Sequence, residues 1–193
     1  MEFKDFESLL KVAGPIFQLG MQISAIETSI AIHSLKSVGS LSPMPFLALF
    51  VNNLIWGLYG YLRSDLTVLL PALFGVTAGL FCTCVYQLYS SKSPKFLYFL
   101  SFFVLLLVTY FYQMSNVVYI GYIGSFSSII VLGSPLVTLH MVITERSTAS
   151  MPFNSSLSAW LNSISWLAYG VLVADDPIIY FPNLVGLLLT SIQ

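Results

Sequence analysis

Two asparagine–tryptophan pairs stand out in a chain that carries very little charge: Asn52 with Trp56, and Asn162 with Trp166. A third amide, Asn183, lies in the last apolar stretch. An asparagine amide both donates and accepts hydrogen bonds, so it can bridge neighbouring hydroxyl groups. An indole offers a flat apolar wall to the C–H face of a ring. Residues four apart share one face of a helix, so each amide and its indole point the same way. No Lys or Arg accompanies them in the apolar stretches, which leaves an anionic solute without a counter-ion. The chemistry suits a small, neutral, polyhydroxylated molecule. Ordinary structural uses compete with this reading. Tryptophan anchors helices at membrane interfaces, the role expected of Trp160, and a buried asparagine often bonds only a neighbouring helix. The duplication of the pair tips the balance toward the solute.

Other chemistries find little support. The sequence holds no histidine cluster, no paired core carboxylates and no Ser/His/Asp arrangement, so catalysis, a cofactor and a metal centre are not expected. Cys82 and Cys84 are two apart and point to different faces of a helix, which disfavours a disulfide or a shared metal; both are read as lipid- or core-facing. No basic stripe is present for nucleic acid. Glu27 is the one acid well inside an apolar stretch. A proton-coupled carrier would want such a group, but a structural or gate-lining role, within reach of water or His33, is the stronger expectation. His140, near a span end, is read as interfacial.

The elements that must position these residues are membrane spans. Apolar residues make up 57% of the 193 and charged residues 8%, where soluble domains carry roughly a quarter charged. Apolar stretches fall near 12–35, 46–62, 66–89, 96–112, 117–143, 155–173 and 177–193, several at the short end of what can cross a bilayer. The acidic start lacks the positive region of a cleaved leader, so the first span is expected to be kept. Lys36, Lys92, Lys95 and Arg146 lie in the first, third and fifth connections, against Arg63 alone in the second, fourth and sixth. Lys4 and Lys11 in the N-terminal segment argue the other way, but the bias in the loops outweighs them and places odd connections in the cytoplasm, the N-terminus outside or lumenal and the C-terminus cytosolic. The Asn154-Ser155-Ser156 sequon would then stay unmodified. The plasma membrane is the expected location, with an organelle membrane as the alternative.

An internal repeat organises the spans. Trp56-Gly57-Leu58-Tyr59-Gly60 returns in the second half of the chain as Trp166-Leu167-Ala168-Tyr169-Gly170. Asp65, Pro71 and Gly75 return in the same order, one position further on, as Asp176, Pro182 and Gly186, and Met44-Pro45-Phe46 returns as Met151-Pro152-Phe153. The chain is therefore expected to be all-α, with seven transmembrane helices as two parallel three-helix repeats joined by a linker helix: residues 1–90, 91–116 and 117–193. Paired repeats of this kind build carriers with a site near the midplane.

On these residues, with Ser42-Pro43-Met44-Pro45, Ser134-Pro135-Leu136 and Phe181-Pro182-Asn183, the sequence resembles the SWEET family of sugar facilitators, within the PQ-loop group. The resemblance covers essentially the whole chain. It implies a 3+1+3 helix arrangement and passive, uniport-type movement of a mono- or disaccharide by alternating access. It implies substrate contacts at Asn52, Trp56, Asn162, Trp166 and Asn183. At Ala72, the repeat mate of Asn183, the family carries a second asparagine; its loss should weaken binding or alter selectivity, and Ala72→Asn is expected to raise uptake. The family's hinge prolines map to Pro45, Pro135 and Pro152, with Ala25 at the fourth position, which should stiffen the first helix. An extracellular gate maps to Tyr59 with Asp176, with Tyr169 and Asp65 as the repeat's second pair; both aspartates also read as helix N-caps. The partners implied are a neutral sugar and the lipid bilayer, with a homo-oligomer left open. Two alternatives are a PQ-loop carrier of amino acids or other organic solutes, coupled to protons through Glu27, and a seven-span retrieval receptor. The first would need acidic or basic groups in the cavity, for which only Glu27 offers itself, and the second a charged pocket for peptide ends that the sequence lacks.

Overall fold

In the computed structural model the backbone is described for residues 3–91, 94–145 and 153–192, and the side chains for 4–91, 94–131 and 156–192. The described residues form seven α-helices and no strand: α1 (Phe3–Leu35), α2 (Met44–Leu62), α3 (Leu66–Tyr89), α4 (Lys95–Gln113), α5 (Val117–Glu145), α6 (Phe153–Leu172) and α7 (Pro177–Ser191). This is the all-α, seven-helix class expected from the sequence. Among the described residues, α1 to α4 are long and apolar enough to cross a membrane.

The largest departure from the sequence reading is at the start of α1. The helix begins about nine residues before the apolar stretch, because Lys4, Glu7 and Lys11 belong to the straight-chain types that lose little freedom in a helix. Lys4, Asp5 and Lys11 face outward while Leu10 is buried. Charge marked where the apolar run starts, not where the helix does.

Contacts divide the chain into two compact units, Gln22–Gly124 and Met1–Met21 with Ser125–Gln193. In the first, α3 and α4 both pack on α2. Ile32, Phe46, Cys82 and Tyr86 form a buried cluster, with Ala25, Ile26, Val38, Val85 and Tyr89 around it. Cys82 is buried and Cys84 exposed, on the different faces expected. Small residues let the backbones meet: a Cβ at Gly79 would stand 2.5 Å from the amide nitrogen of Phe50. Close approach of this kind drives helix association where lipid leaves no hydrophobic difference to exploit. In the second unit α6 lies along α7, and a Cβ at Gly170 would be 2.8 Å from the amide nitrogen of Tyr180.

The α2–α3 and α6–α7 joints are built alike. Ser64 (φ 55°) and Asp175 (φ 47°) take the left-handed conformation just past the helix end. The following amides close back on the glycines, Asp65 N to Gly60 O at 2.8 Å and Asp176 N to Gly170 O at 2.9 Å. Each aspartate then caps the next helix. Asp65 Oδ1 accepts from Thr67 N (2.9 Å) and Val68 N (3.2 Å), and Asp176 Oδ1 from Ile178 N (3.0 Å).

Pro182 lacks the amide that would have bonded the carbonyl of Ile178, four residues back. Ser125 of α5 supplies the missing donor: its Oγ donates to Ile178 O at 2.7 Å. A neighbouring hydroxyl is one of the few ways to satisfy a carbonyl freed by proline inside a membrane.

Candidate solute-binding site

The two Asn–Trp pairs occupy matching settings within their own units. Trp56 lies edge-on to Tyr59, ring centroids 5.6 Å apart at 85°, and Trp166 lies edge-on to Tyr169 at 5.5 Å and 89°. Each indole rests on a glycine: a Cβ at Gly124 would be 3.4 Å from the Trp56 ring, and one at Gly14 would be 3.1 Å from the Trp166 ring. Gly14 and Gly124 are themselves repeat mates, with the same offset in the chain as Trp56 and Trp166. A Cβ at position 14 would crowd the Trp166 ring, whereas one at position 124 would make ordinary contact with the Trp56 ring and meet Ile55 more closely, at 3.2 Å.

Exposure separates the residues singled out by the sequence. Asn52, Trp56, Asn162 and Asn183 are half-buried, as side chains bordering a polar space would be. Trp166 is buried (6% exposed) and Ala72 fully so (0%). Ala72 faces Gly57 of α2, where an added Cβ would stand 3.6 Å from the Ala72 methyl. Asn183 Nδ2 donates to Ile179 O of its own helix at 2.8 Å. Asn162 differs: its Oδ1 is buried and has no hydrogen-bond partner among the described residues. A buried carbonyl oxygen without a donor is costly, and a hydroxyl-rich solute carries the donors it lacks.

The gate aspartates are first of all caps. Asp176 is buried, and its carboxylate holds the first turn of α7. Tyr59 and Tyr169 are buried at 2% and 4% exposure. Tyr59 and Asp65 belong to one unit, Tyr169 and Asp176 to the other. Asp176→Asn keeps an acceptor for Ile178 N, whereas Asp176→Ala removes it at about 1 kcal/mol. If the carboxylate serves only as a cap, Asn should retain uptake and Ala should lower both the melting midpoint and uptake. Loss of uptake in Asp176→Asn at unchanged stability assigns it a second role.

Among the hinge positions, Pro45 falls in the first turn of α2, where a missing amide costs nothing. Pro135 lies within α5, its side chain outside the described residues, and Pro152 lies outside them altogether. Ala25 is helical, its carbonyl accepting from Ser29 Oγ at 3.1 Å. The proline inside α1 is Pro15, a position the repeat comparison passed over. Glu27 is exposed on α1. His33 instead engages Tyr89 OH through Nδ1 at 2.8 Å and Lys36 Nζ through Nε2 at 3.3 Å. Trp160 Nε1 donates to Ser191 Oγ at 3.1 Å, tying α6 to the end of α7.

A buried amide pair, Gln22 and Asn53, escaped the sequence reading. Gln22 of α1 is 1% exposed, and its Nε2 donates to Asn53 Oδ1 of α2 at 3.1 Å and to Pro71 O of α3 at 3.2 Å. A glutamine inside an apolar stretch was the available signal.

Seven apolar helices, with a duplicated hairpin that presents an amide and an indole in each copy, define a polytopic membrane carrier built from helical repeats. The known proteins agree. A family model described as "Sugar efflux transporter for intercellular exchange" matches residues 8–94 and 118–193. Similar curated proteins include the Xenopus tropicalis "Sugar transporter SWEET1", 29% identical over 197 residues covering 98% of this chain and 92% of the relative. The "Bidirectional sugar transporter SWEET2a" of Oryza sativa subsp. japonica is 32% identical over 194 residues, 94% of this chain and 79% of the relative. Among solved structures, a eukaryotic SWEET transporter superposes with a TM-score of 0.83 at 30% identity, covering 97% of this chain and 93% of that one. The chain belongs to the SWEET family of sugar transporters.

Proposed function

We propose that this protein moves a small neutral mono- or disaccharide across a membrane by facilitated, uniport-type diffusion with alternating access. Asn52, Trp56, Asn162, Trp166 and Asn183 bear on the sugar, Ala72 stands where the repeat would place a further amide, and Tyr59, Asp176, Tyr169 and Asp65 gate the extracellular side. Pro45, Pro135 and Pro152 serve as bending points, with Ala25 leaving that part of α1 straight. The observation that carries the reading furthest is the buried Oδ1 of Asn162, unpartnered among the described residues, one helical turn from an indole, in a chain whose family and relatives are named for sugar transport. The N-terminus is placed outside and the C-terminus in the cytosol by the distribution of Lys and Arg, with the plasma membrane as the site of action.

Uptake of radiolabelled glucose, fructose and sucrose into proteoliposomes, with and without an imposed proton gradient, tests this directly. At least one sugar should equilibrate across the bilayer at a rate that the gradient does not change. Accumulation above the external concentration, driven by the gradient and lost in Glu27→Gln, would replace uniport with proton coupling. No uptake of any sugar would overturn the reading.

A further inference from the structure

The two copies of the repeat do not carry their amides in the same places. Asn183 has Ala72 as its mate, so the first copy lacks the amide of the second. Conversely, Gln22 and Asn53 correspond, at the offset that relates Trp56 to Trp166, to Leu132 and Ser163, so the second copy lacks the amides of the first. In the first copy those two side chains meet. Gln22 Nε2 links Asn53 Oδ1 to Pro71 O (3.1 and 3.2 Å), and Asn53 Nδ2 donates to Leu49 O at 2.8 Å. One amide group therefore joins α1, α2 and α3. Gly75 makes room for it: a Cβ there would overlap the Asn53 amide and come within 2.5 Å of Gln22 Nε2.

The groups that Gln22 holds are the immediate chain neighbours of two site positions, Asn53 beside Asn52 and Pro71 beside Ala72. Both Gln22 and Asn53 are buried, at 1% and 4% exposure, so their bonds are made without competition from water and hold geometry more firmly than exposed ones. Gln22 Oε1 is also buried and has no partner among the described residues. A side chain kept there to stabilise the helices alone would be better replaced by an apolar residue of similar size, since the orphaned oxygen costs free energy. Retaining it at that cost argues for a task other than stability.

We propose that Gln22 is a positioning residue for solute binding: its amide fixes the rotation of α2 relative to α3 and so sets how Asn52 is presented, in place of the amide missing at Ala72. The inference rests on the sugar-transport reading above. It places an affinity determinant on α1, which contributes none of the substrate contacts identified from the repeat or the family.

The test compares wild-type protein with Gln22→Leu in proteoliposomes, using whichever of glucose, fructose and sucrose the wild type takes up. The apparent KM should rise about fivefold or more, the scale of losing one or two buried hydrogen bonds, while the maximal rate and the melting midpoint stay near wild type. Leucine removes the donor to Asn53, so a second variant guards against misfolding. Gln22→Leu with Asn53→Ser installs the pair that the second copy carries and removes both amides together; it should show the same rise in KM. An unchanged KM in either folded variant, whatever happens to the melting midpoint, overturns the inference and leaves the transport reading intact. Failure of both variants to fold makes Gln22 a structural residue and equally overturns it. Absence of sugar uptake by the wild type overturns the transport reading, and the inference with it.

Discussion

Gly79→Ala should cost the protein about 3 kcal/mol of stability and lower its melting midpoint in detergent by roughly 10 °C. The added Cβ would stand 2.5 Å from the amide nitrogen and 2.6 Å from the Cα of Phe50. Those atoms are backbone inside α2 and cannot rotate away, so α2 and α3 must separate along their contact. In a bilayer that loss is not offset elsewhere, because helix association there depends on packing rather than on expulsion of water. Gly20→Ala is the control. It adds the same methyl group at a glycine within α1 where, among the described residues, nothing lies within 4 Å of the new carbon. Helix propensity alone then acts, and stability should rise by about 0.5–1 kcal/mol. Equal midpoints for the two variants would remove the close α2–α3 approach as the basis of this hairpin's stability.

Asn162→Leu should change stability and transport in opposite directions. The Oδ1 of Asn162 is buried without a donor among the described residues, so replacing the amide with an apolar side chain of similar size relieves a penalty of about 1–3 kcal/mol. The melting midpoint should rise, or at worst hold. If the same oxygen accepts from a sugar hydroxyl during transport, uptake should fall about tenfold, equivalent to ~1.4 kcal/mol of lost interaction. A residue that served only to bond its neighbours would give the reverse, a lower midpoint with transport reduced only in proportion to folded protein. Parallel measurement of the midpoint and of initial uptake rate separates the cases. Unchanged uptake in a well-folded variant would take Asn162 out of the solute path.

The helices were legible because lipid imposes a simple rule: a span must be apolar for about 20 residues, and charge collects between spans. The start of α1 was not, since Lys4 to Lys11 form a helix for reasons of side-chain freedom that hydropathy does not register. The candidate site residues drew notice chiefly through duplication. Asn52 and Asn162 would each have passed for ordinary bundle asparagines, and the matched hairpins explain why they recur: Gly60 and Gly170, Asp65 and Asp176, and the glycines under the two indoles all serve one local design. The same device missed Gln22. A comparison of copies finds what is shared, and the counterpart of Gln22 in the second copy is Leu132. Its partners Asn53 and Pro71 lie 31 and 49 residues away, a separation that no local pattern spans. Glu27 drew notice for the opposite reason. Its charge drew notice inside an apolar stretch, yet burial is a property of the helix face, and that face of α1 is exposed.

The hydroxyl that Ser125 lends to Ile178 has a mechanical corollary. Ordinarily the bond at that carbonyl would staple α7 to itself; here it is shared with another element, so the straightness of α7 at Pro182 and its adhesion to α5 become one quantity. Flexing α7 there means letting go of α5, and peeling α7 from α5 frees it to flex. A proline that would otherwise be a passive weak point is thereby turned into a latch.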